Sequence, residues 1–111
     1  MRSYDARRYT LAELEHAALS QGREAYAVPR APDRTGVLDA FAVALGFPEY
    51  YGRNLDALND CLGEWAAQLS YPSILMWEKA PELDDATASA IAEILTVTEG
   101  QTGHLAVVVL D

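Results

Sequence analysis

Leu105-Ala106-Val107-Val108-Val109-Leu110 is the stretch that decides the fold class. Six apolar residues in a row, three of them β-branched and none alternating with a polar one, are what a strand covered on both faces needs. Such strands belong to parallel sheets, because each crossover between parallel neighbours lays a helix over the sheet. Upstream, Gly100 and Gly103 close a helical stretch that opens at Asp84-Asp85. Acids suit the positive end of a helix, and Ile91, Ile94 and Leu95 face inward along its run to about Thr98. Ser73 to Trp77, after Pro72, reads as a second strand apolar on both faces. Before it, Leu55, Leu58, Leu62, Trp65 and Leu69 fall in a strip roughly 80° wide at about 100° per residue, a helix capped by Asn54. Val37, Leu38, Phe41, Ala42 and Leu45 repeat at helical spacing as far as Gly46. Glu24 to Val28, ahead of Pro29, is a short strand.

The first residues are organised differently. Thr10-Leu11-Ala12-Glu13 has the spacing of a capping box, in which the hydroxyl accepts from the third helical amide and the glutamate reaches back. Leu11, Leu14, Ala18 and Leu19 then form the apolar face of a short helix that Gln21-Gly22 stops. Met1 to Arg8 shows no period and reads as a mobile or loosely docked arm. The order helix, strand, helix, helix, strand, helix, strand predicts a small α/β domain with a parallel sheet and helical cover. The chain shows no internal repeat, low-complexity segment or interdomain linker.

With 111 residues, half of them hydrophobic, the sequence supports one core and not two. Lys and Arg number 8 against 17 Asp and Glu, a formal charge of −9 that repels phosphate backbones and argues against direct nucleic-acid binding. The apolar runs are too short to cross a bilayer, and the first residues lack the stretch of a signal peptide, so a cytoplasmic protein is expected. Cys61 is a lone cysteine and has no partner for an internal disulfide, as suits a reducing compartment.

Catalytic chemistry has no visible seat. His16 and His104 stand apart, no His/Cys pattern has metal spacing, and neither a nucleophile elbow nor a phosphate loop occurs. Cys61 lies at the border of the apolar strip and reads as an inert, at least half-buried thiol. No catalytic residue, metal site or cofactor is therefore expected.

Asp56, Asp60 and Glu64 recur every fourth residue, which sets three like charges along one helix face about 6 Å apart per step. Each such pair costs a few tenths of a kcal/mol in an isolated helix. Asp60 points nearly opposite the Leu55/Leu58/Leu62/Trp65 strip, so the carboxylates face water or a partner. An ordinary solvated face accounts for the spacing by itself. Phe47-Pro48-Glu49-Tyr50-Tyr51-Gly52, just upstream, adds a proline- and glycine-stiffened approach with aromatic rings beside fixed charge, the composition of binding hot spots. Tyr51 is assigned to the core and Tyr50 to the surface.

The run Pro48-Glu49-Tyr50-Tyr51-Gly52-Arg53-Asn54-Leu55-Asp56-Ala57-Leu58-Asn59-Asp60-Cys61-Leu62-Gly63-Glu64-Trp65 closely resembles the defining segment of the barstar family, intracellular inhibitors of secreted microbial ribonucleases. The resemblance continues more weakly through Tyr71-Pro72, Met76-Trp77 and Val107 to Leu110. It implies a three-stranded parallel sheet packed with helices over residues 23–111, with residues 1–22 as an added segment bearing a short helix. It further implies that Asp60 enters the phosphate-binding site of the nuclease, that Tyr50 packs on the catalytic histidine there, and that Asp56 faces an arginine. Gly52, Asn54, Asn59 and Gly63 fall at further contact positions, and Glu64 extends the acidic face. Two positions depart from the family pattern: Asn59 stands where the best-known member has tryptophan, and Arg53 replaces an acid. Glu99 is out of register with a late-helix family glutamate and inherits no role.

The expected function is inhibition of a microbial extracellular ribonuclease, as a free monomer forming a 1:1 complex, by carboxylates that mimic RNA phosphate. Two other readings stay open. A scaffold or immunity protein of the same fold would bind a different cationic toxin or partner. A small enzyme would use Asp56 and Asp60 as acid and base, although a convex helix offers no dry pocket to separate their pKa values.

Overall fold

The computed structural model describes residues 1–48 and 51–111. Its elements in chain order are β1 (Arg2–Tyr4), α1 (Leu11–Ser20), β2 (Glu24–Val28), α2 (Arg34–Leu45), α3 (Leu55–Ala67), β3 (Ser73–Glu78), α4 (Asp85–Gly100) and β4 (Leu105–Leu110). The strands form one parallel sheet in the order β1-β4-β3-β2.

Alternation along the strands sorts the sheet residues onto two faces. Val28, Leu75, Trp77, Leu105, Val107 and Val109 join the main core, where α2, α3 and α4 supply Val37, Leu38, Phe41, Leu58, Leu62, Ile91 and Leu95. Met76, Val108 and Leu110 are buried on the other face, where α1 packs over β2 and β3 and buries Ala18. β3 and β4 are thus covered on both sides, as their unbroken apolar runs require.

The helix ends follow from local chemistry. Thr10 Oγ1 accepts from the Glu13 N–H at 3.1 Å while Glu13 Oε1 accepts from the Thr10 N–H at 3.0 Å, the reciprocal capping box. Asp33 caps α2 by accepting from the Gly36 N–H at 2.8 Å, and Asp84 caps α4 by accepting from the Thr87 N–H at 2.9 Å. Gly46 ends α2 at φ 66°, a left-handed conformation that needs no Cβ to be displaced.

Two expectations are corrected. The sheet has four strands rather than three, and the first residues are not a mobile arm. Arg2, Ser3 and Tyr4 pair in register with Val108, Val109 and Leu110. The Ala6 N–H donates to the Asp111 carbonyl at 3.1 Å, and the Asp111 N–H to the Tyr4 carbonyl at 2.9 Å. The outer edge of β4 presents unpaired backbone groups that a neighbouring extended segment satisfies, and three residues are too few to show a period. Leu19 also departs from the expected apolar face of α1: it is exposed, and Ala18 alone of that helix is buried. Among the described residues no helix is long and apolar enough to cross a membrane.

Candidate functional site

Several contacts among the described residues shape the entry into α3. The Tyr51 N–H donates to the Pro48 carbonyl at 3.0 Å. Tyr51 is 9% exposed and packs against Phe47 with ring centroids 5.1 Å apart. Burial pushes its phenol up to about 12, helped by the charges of Cys61 and Asp39, and its hydroxyl finds no hydrogen-bond partner among the described residues. Arg53 adopts φ 51°, a region a non-glycine side chain rarely enters, and its guanidinium lies 3.2 Å from Asp39 of α2. Asn54 then caps α3 by accepting from the Ala57 N–H at 2.8 Å, and its amide reaches the Gly52 carbonyl at 3.4 Å. Ion pair and cap tie Gly52, Arg53 and Asn54 to α2 and to the first turn of α3.

Beyond the cap, Leu58, Cys61, Leu62 and Ala66 turn inward. Asp56, Asn59, Asp60 and Glu64 are exposed on the opposite side, and Gly63 lies half-buried between them. Among the described residues none of the three acids is in an ion pair. Asp56 sits in the first turn, where the partial positive charge of the helix end favours a carboxylate. Cys61 registers the local field: burial raises its thiol pKa, and the Glu64 and Asp60 carboxylates raise it further.

The structure thus gathers Asp56, Asn59, Asp60, Gly63 and Glu64 on one convex face, with Gly52 and Asn54 at its N-terminal end. Tyr50, expected beside them, lies outside the described residues. Two contributors escape sequence reasoning. Gln101, at the C-cap of α4, comes close to Gly63: a Cβ on Gly63 would stand 3.6 Å from its Oε1. Asp39 anchors Arg53 from another helix. Both arise from helix packing, which leaves no periodic signal.

Glu99 serves elsewhere. It accepts from the Val107 N–H at 2.6 Å and lies 2.6 Å from the Met1 amino group, beside the sheet edge. Among the described residues no group of three or more His, Cys, Asp or Glu is placed to hold a metal ion. An exposed acidic surface that forms no ion pair among the described residues is suited to a cationic partner.

Comparison with known proteins bears on this arrangement. A 21-residue stretch is 76% identical to the Bacillus subtilis (strain 168) protein named "Putative ribonuclease inhibitor YrdF", covering 19% of this chain and 23% of that protein. The family model described as Barstar (barnase inhibitor) matches residues 25–107, from within β2 to within β4 and across the whole of α3. The chain belongs to the barstar family.

Proposed function

We propose that this chain inhibits a microbial extracellular ribonuclease by seating the exposed face of α3, with the loop before it, in the enzyme's phosphate-binding cleft. The observation that carries the reading is a row of exposed acids, Asp56, Asp60 and Glu64, in no ion pair among the described residues, on a helix capped by Asn54. A ribonuclease needs a positively charged cleft to hold its substrate. A carboxylate-bearing helix satisfies those charges and offers no phosphodiester to cleave, so inhibition is exclusion by mimicry.

Within this reading Asp60, projecting from the middle of the face, takes the place of the scissile phosphate. Asp56 and Glu64 flank it toward neighbouring cations, and Tyr50 supplies an aromatic contact from the loop. Gly52, Asn54, Asn59 and Gly63 contribute close backbone approach or short polar side chains. The chain performs no reaction of its own, and one copy occupies one nuclease.

Titrating a panel of basic microbial ribonucleases with the purified protein tests the proposal. The expected result is stoichiometric inhibition of at least one enzyme, with a 1:1 complex on size exclusion. Arg53 and Asn59 favour a second reading, because a cation and a short amide at the rim suit a different partner surface. A complex with a cationic toxin domain, and with none of the ribonucleases, would establish that reading instead.

A further inference from the structure

The segment ahead of the matched family region builds a cavity on the far side of the sheet from α3. Its volume is about 200 Å³. Leu14 and Ala17 of α1, with its C-cap Gln21, form one wall, Ile74, Met76, Ala106 and Val108 the apolar floor, and Arg2, Tyr4 and Arg23 the polar boundary. Arg2, Tyr4, Leu14, Ala17, Gln21 and Arg23 all precede the match at residues 25–107. The cavity lies between β1 and α1, a helix that packs chiefly over β2 and β3.

The charge at this cavity runs against the rest of the molecule. A chain of net −9 has only 8 Lys and Arg, yet two of them border one concavity. Among the described residues neither Arg2 nor Arg23 is in an ion pair. The carboxylate bonded to a wall residue, Glu99 on the Val107 N–H, already lies against the Met1 amino group. The C-terminal end of α1 contributes a partial negative charge of about one half, which two full guanidinium charges outweigh.

We propose that this cavity binds a small amphipathic anion: a carboxylate or phosphate head held by Arg2 or Arg23 at the polar boundary, with a short aliphatic body on the floor of Ile74, Met76, Ala106 and Val108. Guanidinium forks match both kinds of oxyanion, and the apolar floor selects for a carbon chain on the head. The volume lies below the usual drug-sized range of about 300–1,000 Å³, which restricts the occupant to a short chain. The site lies on the sheet face opposite α3, so it stands or falls independently of nuclease inhibition.

Titration of the isotope-labelled full chain with hexanoate, hexyl phosphate, hexanol and inorganic phosphate, followed by amide chemical shifts, tests the site. At least one hexyl anion is expected to shift Ala17, Gln21, Ala106 and Val108 saturably, with hexanol and inorganic phosphate at least about tenfold weaker. The R2Q/R23Q double variant is expected to lose about tenfold or more in affinity while keeping a folded spectrum. Ala17→Leu, which fills the cavity without touching a charge, is expected to block binding as well. The proposal is overturned if neither hexyl anion produces saturable shifts at these residues up to millimolar concentration. It is equally overturned if hexanol or inorganic phosphate binds as well as the hexyl anions, or if both variants bind like the parent.

Discussion

Tyr51 and Arg53 show how much of the candidate site is settled by single side chains. The Tyr51 hydroxyl is buried without an acceptor among the described residues, an arrangement that costs about 1–3 kcal/mol of desolvation. Tyr51→Phe is therefore expected to raise unfolding stability at neutral pH by about 1 kcal/mol, measured by urea titration. Its pKa makes a second, signed prediction. A phenol raised from 10.0 to about 12 favours the neutral form in the folded state. The associated stability is fully present below pH 10 and is lost as the pH rises toward 12, a fall of about 2–3 kcal/mol that Tyr51→Phe should abolish. Arg53 occupies the left-handed region at a cost of about 1–2 kcal/mol, while its exposed pair with Asp39 returns at most about 1 kcal/mol. Arg53→Gly should consequently be more stable than Arg53→Ala by about 1 kcal/mol; equal stabilities would show that φ 51° carries no strain.

At the scale of elements, α3 and the β4 edge carry the account. Asn54 both caps α3 and holds the Gly52 carbonyl, so Asn54→Ala should cost about 1 kcal/mol of stability and Asn54→Ser should recover most of it. Recovery of inhibition with Ser would mark the residue as positioning the face rather than contacting the nuclease. Glu99 accepts the Val107 N–H at the end of the β1–β4 pairing, and Glu99→Ala leaves that donor unpaired. A loss of about 1–3 kcal/mol with unchanged inhibition is expected, and impaired inhibition would place Glu99 at the interface instead. These elements also show what sequence can reveal. The α3 strip repeats its apolar residues over more than three turns, and β3 and β4 are unbroken apolar runs, so periodicity located the helix and continuous apolarity the two strands. β1 offers only Arg2, Ser3 and Tyr4, too short for any period, and its pairing depends on the free edge of β4. Leu19 misled because it fits the helical spacing, whereas α1 packs over only part of the sheet and leaves that side of the helix uncovered. The proximity of Gln101 to Gly63 and the Arg53–Asp39 pair are products of tertiary packing and could not be read from either segment alone.

Across the whole molecule the two sheet faces divide the work. One carries α2, α3 and α4 and presents the acids; the other carries α1 and the cavity bordered by Arg2 and Arg23. A net charge of −9 should steer the acidic face toward a basic nuclease, so the association rate should fall about tenfold or more between low salt and about 0.5 M. A dissociation rate that carried most of the salt dependence would contradict long-range steering. The central claim is that Asp60 stands in for RNA phosphate, and it is tested most directly by the inhibition constant of Asp60→Ala against a ribonuclease that the parent protein inhibits. Asp60 is exposed and in no ion pair among the described residues, so its removal should leave the thermal midpoint unchanged. The account predicts inhibition weakened by about 2–5 kcal/mol, roughly 30- to 5,000-fold, because the enzyme's cations are left buried and unpaired. A folded Asp60→Ala protein that inhibits as tightly as the parent would contradict it.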